Sequence, residues 1–170
     1  HELVSDGFLK AISVVNLVKR EFDPFTLPNE ARVTVDGEAI GLRGEVAPIF
    51  SLVFHELVTN AVKYGALSND EGTVSVTVAK TAQGAEVFWQ ERGGPPVKKP
   101  EATGFGTTLV TEAVPHELNG KTELTFAKEG VEARVFLPSE ALQDVSGLKT
   151  GQDYRPGGAP DRPTAPDNLV

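Results

Sequence analysis

Three stretches of this sequence carry residue types whose spacing could do chemistry. The first holds Glu56, Asn60 and Lys63. They recur at i, i+4 and i+7, so on a helix they stack along one face. A carboxylate, a carboxamide and an ammonium at one helix end could form a magnesium–phosphate site. Asn60 would be an oxygen ligand, Lys63 would face phosphate charge and Glu56 would orient a water or hydroxyl. The plain alternative is a solvated polar edge. The second is Glu91, which ends an apolar strand just before Gly93-Gly94-Pro95. A carboxylate at such a corner can accept a hydrogen bond from an amino group such as adenine N6, and can equally be an exposed strand-end acid. In the third, Gly104-Phe105-Gly106 precedes a helical pattern. Glycines let the backbone approach an anion and the unpaired N–H groups of a first helical turn attract phosphate, although two glycines before a helix are as often a plain turn.

Other chemistries find no support in the residues. His1, His55 and His116 are far apart and show no zinc-ligand spacing. No Ser or Thr sits in the elbow of a hydrolase nucleophile. No Gly-Lys-Ser/Thr follows the glycines, so the loop is not a Walker loop. His55 flanks the polar face and reads as a structural histidine, and Trp89 as core or rim packing.

The elements that must position these groups follow from periodicity. Val46, Phe50, Val53, Leu57 and Ala61 form one apolar stripe of a long helix from about Gly44-Glu45 to Ala66-Leu67. Before it, residues 11–22 read as an amphipathic helix, with Ser13 as a plausible N-cap and Asp23-Pro24 as its stop. Arg32 to Val35 alternates like a strand, Asp36-Gly37-Glu38 turns and Ala39 to Leu42 offers a return strand, which predicts a hairpin. A second hairpin is expected from Thr73–Ala79 and Ala85–Trp89 around Gln83-Gly84. A helix should then run from Thr107 to Leu118 and stop at Asn119-Gly120, followed by a last hairpin, Lys121–Ala127 with Val131–Leu137. Strands made as hairpins predict an α+β fold: a two-layer sandwich whose mixed, mostly antiparallel sheet is covered on one face by three helices.

The chain has 170 residues and a net charge of −8, which makes a nucleic-acid backbone an unfavourable partner. No apolar run reaches the length of a membrane span. There is no cysteine and hence no disulfide framework. A chain that opens on His1 and lacks methionine is expected to be a fragment of a longer product. Residues 1–138 read as the domain. Residues 139–170, rich in Pro, Gly and Asp, read as a tail or linker.

The motifs carry a family resemblance. His55-Glu56-Leu57-Val58-Thr59-Asn60-Ala61-Val62-Lys63-Tyr64-Gly65-Ala66-Leu67-Ser68 resembles the N-box of the HWE subfamily of bacterial sensor histidine kinases. Trp89-Gln90-Glu91-Arg92-Gly93-Gly94-Pro95-Pro96-Val97 resembles its W-x-E glycine box, and Gly104 to Val110 with His116 to Gly120 its second glycine box and following helix. The match spans roughly residues 10–138. It implies a Bergerat-type ATP-binding fold shared with gyrase, the Hsp90 chaperone and MutL. It implies that Asn60 coordinates Mg²⁺, that Glu56 lies beside the metal and the γ-phosphate, and that Lys63 and Tyr64 approach the phosphates. His55 joins Glu56, Asn60 and Lys63 as a catalytic candidate. Glu91 stands where related kinases carry an adenine-reading aspartate, Gly93 and Gly94 pass close to the base, and Gly104, Phe105, Gly106, Thr107 and Thr108 shape the phosphate end. The phospho-accepting histidine motif of the subfamily is not found in this sequence.

The resemblance thus implies a cytoplasmic protein-histidine kinase domain using ATP and Mg²⁺. It would transfer the γ-phosphoryl to a histidine on a separate acceptor domain, within a homo-oligomeric parent that serves a response regulator. The alternative is a non-catalytic nucleotide-sensing module of the same fold.

Overall fold

The computed structural model describes residues 12–25, 30–98 and 105–144. Strand β1 (Ile12–Ser13) leads directly into helix α1 (Val14–Phe22), and Ser13 caps it by accepting the Asn16 N–H on its hydroxyl at 3.3 Å. That satisfies one of the donors a helix start leaves free. A 3₁₀ turn (Glu30–Arg32) precedes β2 (Val33–Gly37) and β3 (Gly41–Leu42). Helix α2 (Ala47–Lys63) follows, then the hairpin β4 (Thr73–Thr81) and β5 (Gly84–Arg92). Helix α3 (Phe105–Leu118) and the hairpin β6 (Lys121–Ala127) and β7 (Gly130–Pro138) come next. The described chain closes with a 3₁₀ turn (Ser139–Ala141) and β8 (Leu142–Gln143).

The main sheet has the order β2-β4-β5-β7-β6, antiparallel except for the parallel pair β2–β4. Its inner face is built by alternation: Val74, Val76 and Val78 of β4, Ala85, Val87 and Trp89 of β5, and Ala133, Val135 and Leu137 of β7 are all buried. Register places Val76 beside Trp89 and Trp89 beside Ala133. The helices cover this face with Phe22, Phe50, Phe54, Val58 and Val114. Trp89 joins the layers, stacking on Phe22 at 5.7 Å and meeting Phe54 edge-on at 6.3 Å. The opposite face is charged. Arg134 lies over the Phe88 ring and pairs with Glu86, and Arg92 pairs with Glu132.

The expected α+β sandwich is therefore observed, with one correction. β2 and β3 do not form a hairpin. β2 runs parallel to β4, and the Glu38 N–H extends that pairing by donating to the Val78 carbonyl at 2.9 Å. The chain then turns away, and β3 joins β1 and β8 in a separate small antiparallel sheet. An Asp-Gly between two short alternating runs is a local hairpin signal, but the long β4 offers β2 a five-residue ladder that β3, with two residues, cannot match.

Two boundaries also move. Helix α2 starts at Ala47, with a proline in its first turn, and ends at Lys63, where Tyr64 and Gly65 turn their N–H groups onto the carbonyls of Asn60 and Ala61. At the other end of the domain, Ala141 is 4 % exposed and Leu142 pairs with Leu42, so the packed structure runs past residue 138. Helix α3 ends as expected: Asn119 adopts φ 56° and the Gly120 N–H returns to the Val114 carbonyl.

Candidate functional site

Helix α2 buries Phe50, Val53, Phe54, Leu57 and Ala61, which turns its other side toward a cleft between α2, α3 and the sheet. The cleft holds about 610 Å³. Glu56 and Asn60, one turn apart, line it, and so do Tyr64 and Gly65 just past the helix end. Glu91 enters from the end of β5, and Gly106 and Thr107 from the first turn of α3. All three candidate stretches thus meet in one cavity. Leu57, Val110, Leu124, Phe126 and Val131 give it an apolar lining, and Lys98 adds a cation. Such a lining with few convergent polar groups suits a flat aromatic ring attached to a charged group.

Glu91 is 3 % exposed, and is not the exposed corner acid that was the alternative. Its Oε1 accepts the Ala66 backbone N–H and its Oε2 the Trp89 indole N–H, each at 2.9 Å. Burial pushes its pKa above the ordinary carboxylate value, while the two N–H donors pull the other way. A carboxylate has about four lone-pair sites, so these two bonds leave acceptor capacity on a residue that lines the cleft. The turn after β5 is built for close approach: Gly93 has φ +74°, and a Cβ on Gly94 would lie 2.6 Å from the Ala66 Cα.

At the other end, a Cβ on Gly106 would lie 2.5 Å from Oε2 of Glu56. Glu56 of α2 therefore opposes the first turn of α3, and helix N-termini favour anions. Among the described residues, no group of three or more His, Asp or Glu could hold a metal ion by itself. A carboxamide and a carboxylate one turn apart fit Mg²⁺, which is bound through one or two protein oxygens together with phosphates and water.

The remaining candidates lie elsewhere. Lys63 is exposed in the last turn of α2 and does not line the cleft. His55 turns toward α1, its Nδ1 3.2 Å from Oε2 of Glu21, a carboxylate that also accepts the Ser51 hydroxyl. Thr108 is half-buried and does not line the cleft, although Thr107 and Val110 on either side of it do, and Gly93 and Gly94 lie behind the lining. Phe105 opens α3. Gly104 lies outside the described residues. The apolar lining from β6 and β7 was missed by sequence reasoning. Alternation in Leu124, Phe126 and Val131 signals an inward face, but not that part of that face is left uncovered by helix.

This architecture is that of the ATP-binding catalytic domains of histidine kinases. The catalytic domain of the histidine kinase ThkA superposes with a TM-score of 0.59 over 76 % of this chain and 96 % of that one, at 16 % identity. ThkA solved in complex with the response regulator protein TrrA gives a TM-score of 0.58, covering 76 % of this chain and 41 % of that one at 17 % identity. The chain is homologous to blue-light-activated histidine kinases, in keeping with the HWE resemblance of its motifs. It is 36 % identical over 132 residues to blue-light-activated histidine kinase 1 of Erythrobacter litoralis. That match takes in 76 % of this chain and 36 % of the relative, so the chain spans little more than a third of that protein's length. No family model matches the chain.

Proposed function

We propose that the chain binds Mg-ATP in the α2–α3 cleft and serves as the catalytic domain of a two-component sensor histidine kinase. The γ-phosphoryl would pass to a histidine on a separate acceptor domain. The observation that carries this is the convergence of Glu56 and Asn60, Glu91, and Gly106 and Thr107 from three distant stretches on one cleft.

In this reading Glu91 accepts a hydrogen bond from the adenine amino group, and Leu57, Val110 and Leu124 pack on the ring. The N-terminal turn of α3 takes phosphate oxygens through its free N–H groups. Asn60 would hold Mg²⁺, with Glu56 beside it to orient a coordinated water. Bound there, the ion would neutralise charge on the phosphates as the bond to the leaving oxygen breaks. The chain's own contribution is positioning: the apolar lining excludes water, and the two polar ends fix the base and the triphosphate a set distance apart. Lys63, Tyr64 and Lys98 supply cations and a hydroxyl near the opening. His55 acts through its bond to Glu21 on the placement of α2 against α1.

The reading extends to the parent: a cytoplasmic, homo-oligomeric kinase serving a response regulator. The ThkA–TrrA complex supports such a partner by its fold. No helix among the described residues is long and apolar enough to cross a membrane. The domain would end after Gln143, with the remaining tail as a linker.

The test has two parts. Calorimetry should detect ADP and ATP binding that strengthens with magnesium. Labelled γ-phosphate should reach a histidine on a supplied acceptor domain, and Asn60→Ala should lower that transfer by orders of magnitude. Absence of nucleotide binding at millimolar concentration on folded protein would remove the proposal. Binding without any transfer would leave a nucleotide-sensing module instead.

A further inference from the structure

Arg32, in the 3₁₀ turn before β2, is 8 % exposed, and its guanidinium is held by one loop. Its Nε donates to the Gly72 carbonyl at 2.8 Å, and its Nη2 to the carbonyls of Ala66, at 3.1 Å, and Asn69. A buried cation must be satisfied by fixed dipoles, and a planar fork that satisfies itself on three carbonyls fixes the path of the chain carrying them.

That loop touches the base end of the cleft at each of its anchored residues. The Ala66 N–H is the backbone donor to Oε1 of Glu91. The Ala66 Cα is also the atom that a Cβ on Gly94 would strike. The Asn69 carboxamide donates to the Gly93 carbonyl at 3.0 Å, while its oxygen accepts the Gly72 N–H at 2.8 Å. Gly72 in turn packs against Gly93. Neither Arg32 nor Asn69 lines the cleft.

We propose that Arg32 is the positioning residue of the base pocket. It holds residues 66–72 in the one arrangement in which Ala66 aims the Glu91 carboxylate and Asn69 holds the Gly93 carbonyl. This rests on the reading that Glu91 recognises adenine. Lysine carries its donors on a single nitrogen, so it cannot reproduce the planar fork that places Nε on the Gly72 carbonyl and Nη2 on those of Ala66 and Asn69. Arg32→Lys should therefore loosen the loop while leaving the phosphate end untouched.

The chain has a single tryptophan, so one indole N–H resonance reports the Trp89–Glu91 bond directly. In Arg32→Lys that resonance should move and its hydrogen exchange should accelerate. ADP should bind roughly tenfold more weakly, the effect of weakening one hydrogen bond in a buried site. The preference for ADP over inosine diphosphate, which has an oxo group in place of the amino group, should shrink. Affinity for inorganic tripolyphosphate should stay at the wild-type value. A folded Arg32→Lys chain with wild-type indole resonance and wild-type ADP preference overturns the proposal. So does an equal loss of ADP and tripolyphosphate binding. Should Arg32→Lys not fold, Asn69→Ala decides, because it keeps Arg32 and all three carbonyls: unchanged preference for ADP overturns the proposal, and reduced preference upholds it. If the wild-type chain itself does not distinguish the two bases, the adenine reading of Glu91 fails, while the indole resonance of Arg32→Lys still judges Arg32.

Discussion

Trp89 donates its indole N–H to Oε2 of Glu91, two residues further along β5, at 2.9 Å. Residues i and i+2 of a strand share a face, so a large core ring and a cleft-lining carboxylate stand side by side. Because Trp89 is itself fixed between Phe22 and Phe54, the aromatic core orients the carboxylate at the cleft. The polar handle of the tryptophan is satisfied by the same hydrogen bond.

A pH dependence follows from Glu91. Burial raises its folded-state pKa, so the folded chain holds this proton more tightly than the unfolded one. The stability it contributes is full below the ordinary carboxylate pKa and is lost as pH rises through the raised value. Glu91→Gln has no such dependence. As pH rises above the ordinary carboxylate pKa, its melting temperature relative to the parent should therefore rise. A difference that stays flat as pH rises would show that the carboxylate is not held against its desolvation.

Asn60→Ala should separate binding from folding. The side chain faces the cleft and not the core cluster, so truncation should change stability by less than about 1 kcal/mol. Phosphoryl transfer to a supplied acceptor domain should nevertheless fall by orders of magnitude. Denaturant unfolding and a transfer assay on the same preparation check both halves. An unfolded variant, or an active one, would make the residue structural or irrelevant.

Leu57→Ala should do the reverse, with an added effect. Leu57 is 3 % exposed, and its removal should cost roughly 2–5 kcal/mol, the usual range for a core leucine. Because it also lines the cleft, nucleotide affinity should weaken as well. Chemical denaturation measured with and without ADP would show both, and retention of full affinity would place Leu57 in the core alone.

Two glycines should behave differently under the same substitution. A methyl on Gly94 meets backbone, the Ala66 Cα at 2.6 Å, so Gly94→Ala should destabilise the domain by roughly 1–3 kcal/mol and weaken ADP binding. A methyl on Gly106 meets the Glu56 carboxylate, a flexible side chain that can turn aside. Gly106→Ala should therefore leave the melting temperature near that of the parent while lowering affinity for tripolyphosphate. Equal melting temperatures for the two variants would contradict this geometry.

Truncation after Pro138 should lower the melting temperature measurably. It removes Ala141, which is 4 % exposed, its carbonyl bond to the Arg43 N–H, and the β8 pairing with β3. A chain ending at Asp144 should melt as the parent does. If both truncations melt like the parent, the small sheet contributes nothing to stability.

The sequence by itself determined the main elements and the residue types offered to the cleft. Periodicity of 3.6 and of 2 is imposed by local geometry, so the three helices, both long hairpins and the Ser13 cap could be read in advance. The helical spacing of Glu56 and Asn60 and the strand-end place of Glu91 are equally local facts. The tertiary structure decided what depends on partners remote in the chain. β2 took a parallel place beside β4, because a five-residue ladder outweighs a two-residue hairpin arm. Lys63 stayed outside the cleft although it shares the helix with Asn60, because its side chain projects into solvent. His55 found Glu21 on another helix. Arg32, which read as the first residue of a strand, became the clamp on residues 66–72. A charged side chain announces its chemistry in the sequence, but which carbonyls satisfy it is settled only when burial has excluded water from around it.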